Sequence, residues 1–167
     1  MWAAYQPTSR TARDALALIS LGFGCGLTSR EMLTVRGRDL AVLTDGLYGV
    51  HVGARTVPAL QEWSADLEDL HDRCPRDEWL LAPGWAGRTV DTLNRVRRDL
   101  PGDHVPSPRR MRNTWLVTQI NSGTPATVVM RAAGLAEAAF LRRLAPYLPM
   151  PAPDTELAML RGGHDHA

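Results

Sequence analysis

The chain has 167 residues, 44% of them hydrophobic, and a formal charge of +1. That length buries one substantial core without calling for a second domain, and so small a charge excludes binding to a polyanion through overall charge alone. The longest apolar run, Ala15 to Leu21, is broken by Ser20 and falls short of the roughly 18 to 20 apolar residues that cross a bilayer, so a membrane partner is excluded as well.

Thr11 with Asp14 predicts a capping box, followed by a helix with the stripe Ala12, Ala15, Leu16, Ile19 and Phe23 that ends in the cluster Gly22, Gly24, Gly26. Thr28 with Glu31 predicts a second capping box and a short helix through Val35. Leu40 to Leu43, Leu47 to Val52 and Arg55 to Val57, separated by tight-turn residues, read as a small antiparallel sheet. Pro58 suits the first turn of a helix carrying Leu60, Trp63, Leu67 and Leu70. Trp79 to Leu81 reads as extended, and Val90, Leu93, Val96 and Leu100 mark a helix stopped by Pro101 and Gly102. Pro108 leads into a helix burying Met111, Trp115, Leu116 and Ile120, with Gly123 as its C′ residue. A short helix from Thr124 to Gly134 and a last one over Ala136 to Leu144 follow, while the Pro-rich and Gly-rich stretch after Pro149 is left unassigned.

Charge is unevenly spread. Between Gln61 and Glu78 seven acids face two bases, and between Arg88 and Arg112 seven arginines face three acids. The second stretch suits a phosphate-bearing partner, with Arg88, Arg95, Arg109, Arg110 and Arg112 as the expected phosphate contacts. All 19 basic residues are arginine, so no lysine can serve as a proton donor. Cys25 and Cys74 lie far from any CxxC spacing and no cationic, apolar leader opens the chain, which points to a reduced cytoplasmic protein. The end residues His164 and His166, spaced i, i+2, make no closed metal site, and no metal or cofactor is expected.

Two longer segments carry more information. Leu21 to Leu40, LGFGCGLTSREMLTVRGRDL, sets Gly26, Leu27, Glu31, Leu33, Arg36, Asp39 and Leu40 in the frame of a Gly-rich turn, GLR, and a helix of the type ELLxLRWxDL. Arg109 to Leu135, RRMRNTWLVTQINSGTPATVVMRAAGL, sets Met111, Arg112, Thr114, Gly123, Val129 and Gly134 in the frame of HxLRHTxATxLLxxG and its continuation. In this order and separation they resemble the catalytic domain of tyrosine recombinases, the phage-integrase family. The resemblance covers about residues 9 to 148, with 1–8 a short lead and 149–167 a C-terminal tail. It implies a mainly α fold with a small antiparallel β-sheet. It also implies an N-terminal core-binding domain, which the eight residues before the first helix do not supply; the chain is then a fragment or a stand-alone remnant.

The family's chemistry is strand transfer at a DNA phosphodiester. Two arginines hold the non-bridging oxygens, a lysine and histidines move protons, and a tyrosine attacks phosphorus. Carried over by position, the first arginine falls on Thr28, and Arg30 lies about 200° around the helix from it. The lysine is absent, leaving Arg55 or His51 in the hairpin. The two histidines fall on Arg109 and Leu135, and the tyrosine falls on Leu144 with Tyr147 just beyond. Arg112 alone is retained, as the second arginine. The implied function is a recombinase-like, DNA-associated domain that has lost strand transfer and retains DNA or partner binding. Two alternatives are a divergent active recombinase using Tyr147 with Arg112, and a protein-interaction module derived from the fold. The tail, with Leu157 and Leu160 one helical turn apart, is expected to mediate self-association or contact with a recombinase partner.

Overall fold

The structure, a computed structural model, describes residues 10–100 and 105–161. The expected stop at Pro101 and Gly102 and the tail histidines lie outside those residues. Eight α-helices and one three-stranded sheet are found among the described residues, in the order α1 (Arg10–Ile19), α2 (Ser29–Met32), β1 (Leu40–Val42), β2 (Tyr48–Val52), β3 (Arg55–Pro58), α3 (Ser64–Arg73), α4 (Val90–Asp99), α5 (Pro108–Asn121), α6 (Ala126–Ala133), α7 (Ala139–Leu144) and α8 (Pro153–Leu160). None of these helices is long and apolar enough to cross a membrane.

The first helix departs from expectation at both ends. Thr11 lies inside α1, and the Asp14 carboxylate is buried and accepts the Ala82 N–H at 2.8 Å, so the two do not form a capping box. At the other end the glycines do not stop the helix. The chain continues through a π-helical turn, Ser20–Gly24, because those glycines are surfaces for packing. A methyl group on Gly22 would collide with Met111, and one on Gly24 would lie 2.8 Å from Trp63. Gly26 is held at φ 60° with the Trp115 ring 2.5 Å from where a Cβ would sit, so it meets both a conformational and a steric demand. Trp115, 1% exposed, thereby packs directly on backbone.

The sheet is an antiparallel meander, β1-β2-β3, with Val50 opposite both Leu40 and Val57. Pro58 closes β3 opposite Gly49 and does not open a helix. On this edge strand its missing N–H is tolerated. The next helix begins with a 3-10 turn, Gln61–Trp63, and runs on as α3, whose Leu67 and Leu70 are buried and whose Ser64 Oγ accepts the Tyr48 N–H. The last helical residues also shift, with α7 starting at Ala139 and a 3-10 turn, Ala145–Tyr147, following it. The unassigned tail forms α8, with Pro153 in its first turn and Asp154 and Glu156 beside it, both suited to a helix N-terminus.

Candidate functional site: an arginine pair around Glu31

Helix α5 buries Pro108, Met111, Arg112, Trp115 and Leu116, the i, i+3, i+4, i+7, i+8 face of one helix. Arg112 therefore takes an inward position in an otherwise apolar stripe and is only 9% exposed. A cation placed there must be paired. Its guanidinium donates through one terminal nitrogen to the Gly26 carbonyl and through the other to the Ala133 carbonyl at 2.6 Å, and the first lies 4.0 Å from the Glu31 carboxylate.

Glu31 reaches this point because Thr28 starts α2. The Thr28 N–H and hydroxyl each donate to Glu31 Oε2 at 2.8 Å, and the Thr28 Oγ1 accepts the Glu31 N–H at 3.3 Å, a complete capping box. From the start of β3, Arg55 donates to Glu31 Oε1 at 2.6 Å and through Nε to the Ala132 carbonyl at 2.8 Å. The carbonyls of Ala132 and Ala133 belong to the last turn of α6, where a helix leaves its acceptors unpaired, and two cations take them. Gly134 ends that helix at φ 65°, and a Cβ on it would lie 2.8 Å from an Arg55 nitrogen.

Burial by itself would raise the Glu31 pKa. The hydrogen bonds from the Thr28 N–H, from Arg55 and from the Thr28 hydroxyl outweigh it and hold the carboxyl below its ordinary value. The Arg112 pKa is also pushed down, chiefly by burial, with Glu31 opposing the shift and Arg55 and Arg143 adding to it. The cluster sets two guanidiniums against one carboxylate. It has no proton to give, since an arginine does not deprotonate and the Thr28 hydroxyl is already committed.

The expected site residues separate into three groups. Thr28 and Arg112 come together through Glu31, and Arg55 joins them. Arg109 and Arg110 are exposed in the first turn of α5, while Arg95 is exposed on α4 with its guanidinium 5.8 Å from the Trp85 ring. Arg88 leaves the basic face: its guanidinium donates to the carbonyls of Leu33, Leu81 and Ala82 and lies 4.3 Å from the Trp79 ring, which makes it a strut between segments. Leu135 is half-buried against the core, and Leu144 is 2% exposed. Tyr147 is 69% exposed, the only exposed tyrosine among the described residues. His51 sits on β2, exposed and bonded to the Thr56 hydroxyl at 2.8 Å. Arg30 is exposed, as its angular offset from Thr28 requires. Of the tryptophans, Trp115 is core, and Trp63 is half-buried and stacked on Phe23 at 5.9 Å.

The joining of Glu31 and Arg55 was not visible in the sequence frame. The capping box explains Glu31 locally, and nothing local tells that a hairpin residue 24 positions away closes on the same carboxylate.

No family model matches the chain, and no curated protein matches it. Solved structures do. The XerA recombinase superposes with a TM-score of 0.61 at 18% identity, over 99% of this chain and 60% of that one. The Tn1549 transposon integrase in complex with circular intermediate DNA gives a TM-score of 0.53 at 14% identity, over 95% of this chain and 61% of that one. The same integrase in complex with transposon right end DNA gives 0.54 at 14%, over 96% and 62%. The fold is thus the one seen in tyrosine recombinases and integrases, mainly helical with a small three-stranded antiparallel sheet, as the sequence frame implied. At these identities the likeness is one of fold, and the chain spans about 60% of the length of the structures it matches.

Proposed function

We propose that this is a recombinase-like, DNA-associated domain without strand-transfer chemistry. The observation that carries the reading is the fate of two positions. Leu144, where the family resemblance puts the nucleophile, is sealed in the core, and Thr28, where it puts the first arginine, is consumed as a helix cap. A site with one of two phosphate-holding arginines and no attacking group cannot complete the covalent step. Losing one such contact costs about 10² to 10³ in rate, and losing the nucleophile removes the covalent route. DNA contact then falls to the exposed arginines, Arg95, Arg109 and Arg110. A titration of duplex DNA at several salt concentrations tests this. Binding in the micromolar range or weaker at physiological salt is expected, and Arg109→Ala with Arg110→Ala should weaken it and flatten its salt dependence. Unchanged affinity in that double variant would take the DNA face away from α5.

The exposure of Tyr147 favours a second reading, an active recombinase whose nucleophile has moved one turn along the chain. A covalent DNA adduct on Tyr147 would establish it. The partner-binding role rests on α8, which leaves Leu157 and Leu160 at 51% and 78% exposure. Beside the arginine pair, between β3 and α6, lies a cleft of about 540 Å³ lined by Pro58, Val128 and Val129 and by the cations Arg55 and Arg131. The apolar and acidic α8 of a second copy suits such a cleft in both respects.

A further inference from the structure

Among the described residues, Glu31 is the acid whose carboxylate lies against both Arg55 and Arg112, the hairpin cation and the retained second arginine of the family frame. Its carboxylate accepts from Arg55, from the Thr28 N–H and from the Thr28 hydroxyl, and lies 4.0 Å from Arg112. Both terminal nitrogens of Arg112 already donate to carbonyls. An anion approaching Arg112 therefore meets a fixed negative charge at the same guanidinium.

We propose that Glu31 is the resident counter-ion of this pair: it occupies the anion position from within the chain and excludes an incoming phosphate. The inference rests on reading the cluster as a phosphate-holding site and adds what controls it. Thr28 contributes twice. An arginine at that position would set three cations against one carboxylate, an excess that leaves room for a phosphate. Threonine removes the third cation, and its two hydrogen bonds pin the remaining anion in place. Two anions held within a few ångströms of each other in a partly buried site repel strongly enough to change affinity roughly ten- to a hundredfold.

The probe is inorganic phosphate at constant ionic strength, followed by calorimetry and by the Nε–H resonances of Arg55 and Arg112. The native chain and Glu31→Asp, which keeps the charge, should bind it no better than millimolar. Glu31→Gln, whose amide oxygen can still serve the cap, should bind roughly ten- to a hundredfold more tightly, with both arginine resonances shifting. Thr28→Arg keeps Glu31 and should also gain affinity, which covers the case in which the glutamine variant does not fold. Native-like phosphate binding in every folded variant of the two, or a gain that leaves both resonances unmoved, would overturn the inference. Duplex DNA binding of the native chain, run alongside, separates the two claims. DNA binding lost with Arg109 and Arg110 but no phosphate gain in Glu31→Gln would sink the counter-ion and leave the DNA reading standing. A phosphate gain in a chain whose native form binds no DNA would do the reverse.

Discussion

Replacing Arg112 by methionine, similar in length and without charge, should destabilise the fold severely. Arg112 is almost wholly buried, at 9% exposure, and its two terminal nitrogens satisfy the Gly26 and Ala133 carbonyls. A hydrogen bond from a charged donor contributes about 1.5 to 3 kcal/mol, and a buried acceptor left unpaired costs about 1 to 3 kcal/mol. Two such bonds, with the methionine side chain recovering part of the loss by apolar burial, give a net cost of about 3 to 5 kcal/mol, the range found when a buried ion pair loses one member. Domains of this kind have about 5 to 15 kcal/mol in all. With a urea m-value of about 2 kcal/mol/M, the midpoint should fall by about 2 M with the slope unchanged. Arg112→Lys should do little better, since an ammonium is a single point and cannot bridge two carbonyls held by a planar fork. A midpoint within about 0.5 M of the native value, for either variant, would refute the reasoning: Arg112 would then be dispensable to the fold and held only for a ligand.

Gly26→Ala should cost at least about 2 kcal/mol in the same urea assay, because a methyl group would lie 2.5 Å from the Trp115 ring at φ 60°; a change below about 0.5 kcal/mol would mean that the ring and turn relax freely. Glu31 has a folded pKa below its ordinary 4.5, so its stabilising contribution is complete above pH 4.5 and is lost as the pH falls below it through the folded value. Glu31→Gln should therefore flatten the acid limb of the stability curve in pH-dependent thermal melts, and parallel limbs in the two proteins would contradict that. Deletion of residues 150–167 should lower the mass seen by light scattering at concentrations where the intact chain self-associates; equal masses for the two would remove α8 as the contact.

The legible part of the fold was the part with local causes. The Thr28 and Glu31 capping box, the three strands and the α5 stripe through Met111, Trp115 and Leu116 each depend on residues within a few positions of one another, and each is found. The misread parts depend on partners far along the chain. Asp14 answers to Ala82 and not to Thr11, 68 residues from its partner. The glycines after α1 looked like a stop because the tryptophans and the methionine that press on them come much later in the sequence. Arg88 counted toward a basic surface until three carbonyls claimed it. The site divides in the same way. Arg112 was legible from its motif, whereas the carboxylate that Arg55 and Arg112 share needed three dimensions to appear.

A suicide DNA substrate, nicked so that cleavage releases a short oligonucleotide and traps any phosphotyrosine link, tests most directly whether strand transfer has been lost. Incubated with the intact chain, it should give a salt-sensitive, non-covalent complex and no species that survives denaturation. A denaturation-resistant adduct, mapped by mass spectrometry to Tyr147 and abolished by Tyr147→Phe, would contradict the proposed loss and establish a working recombinase.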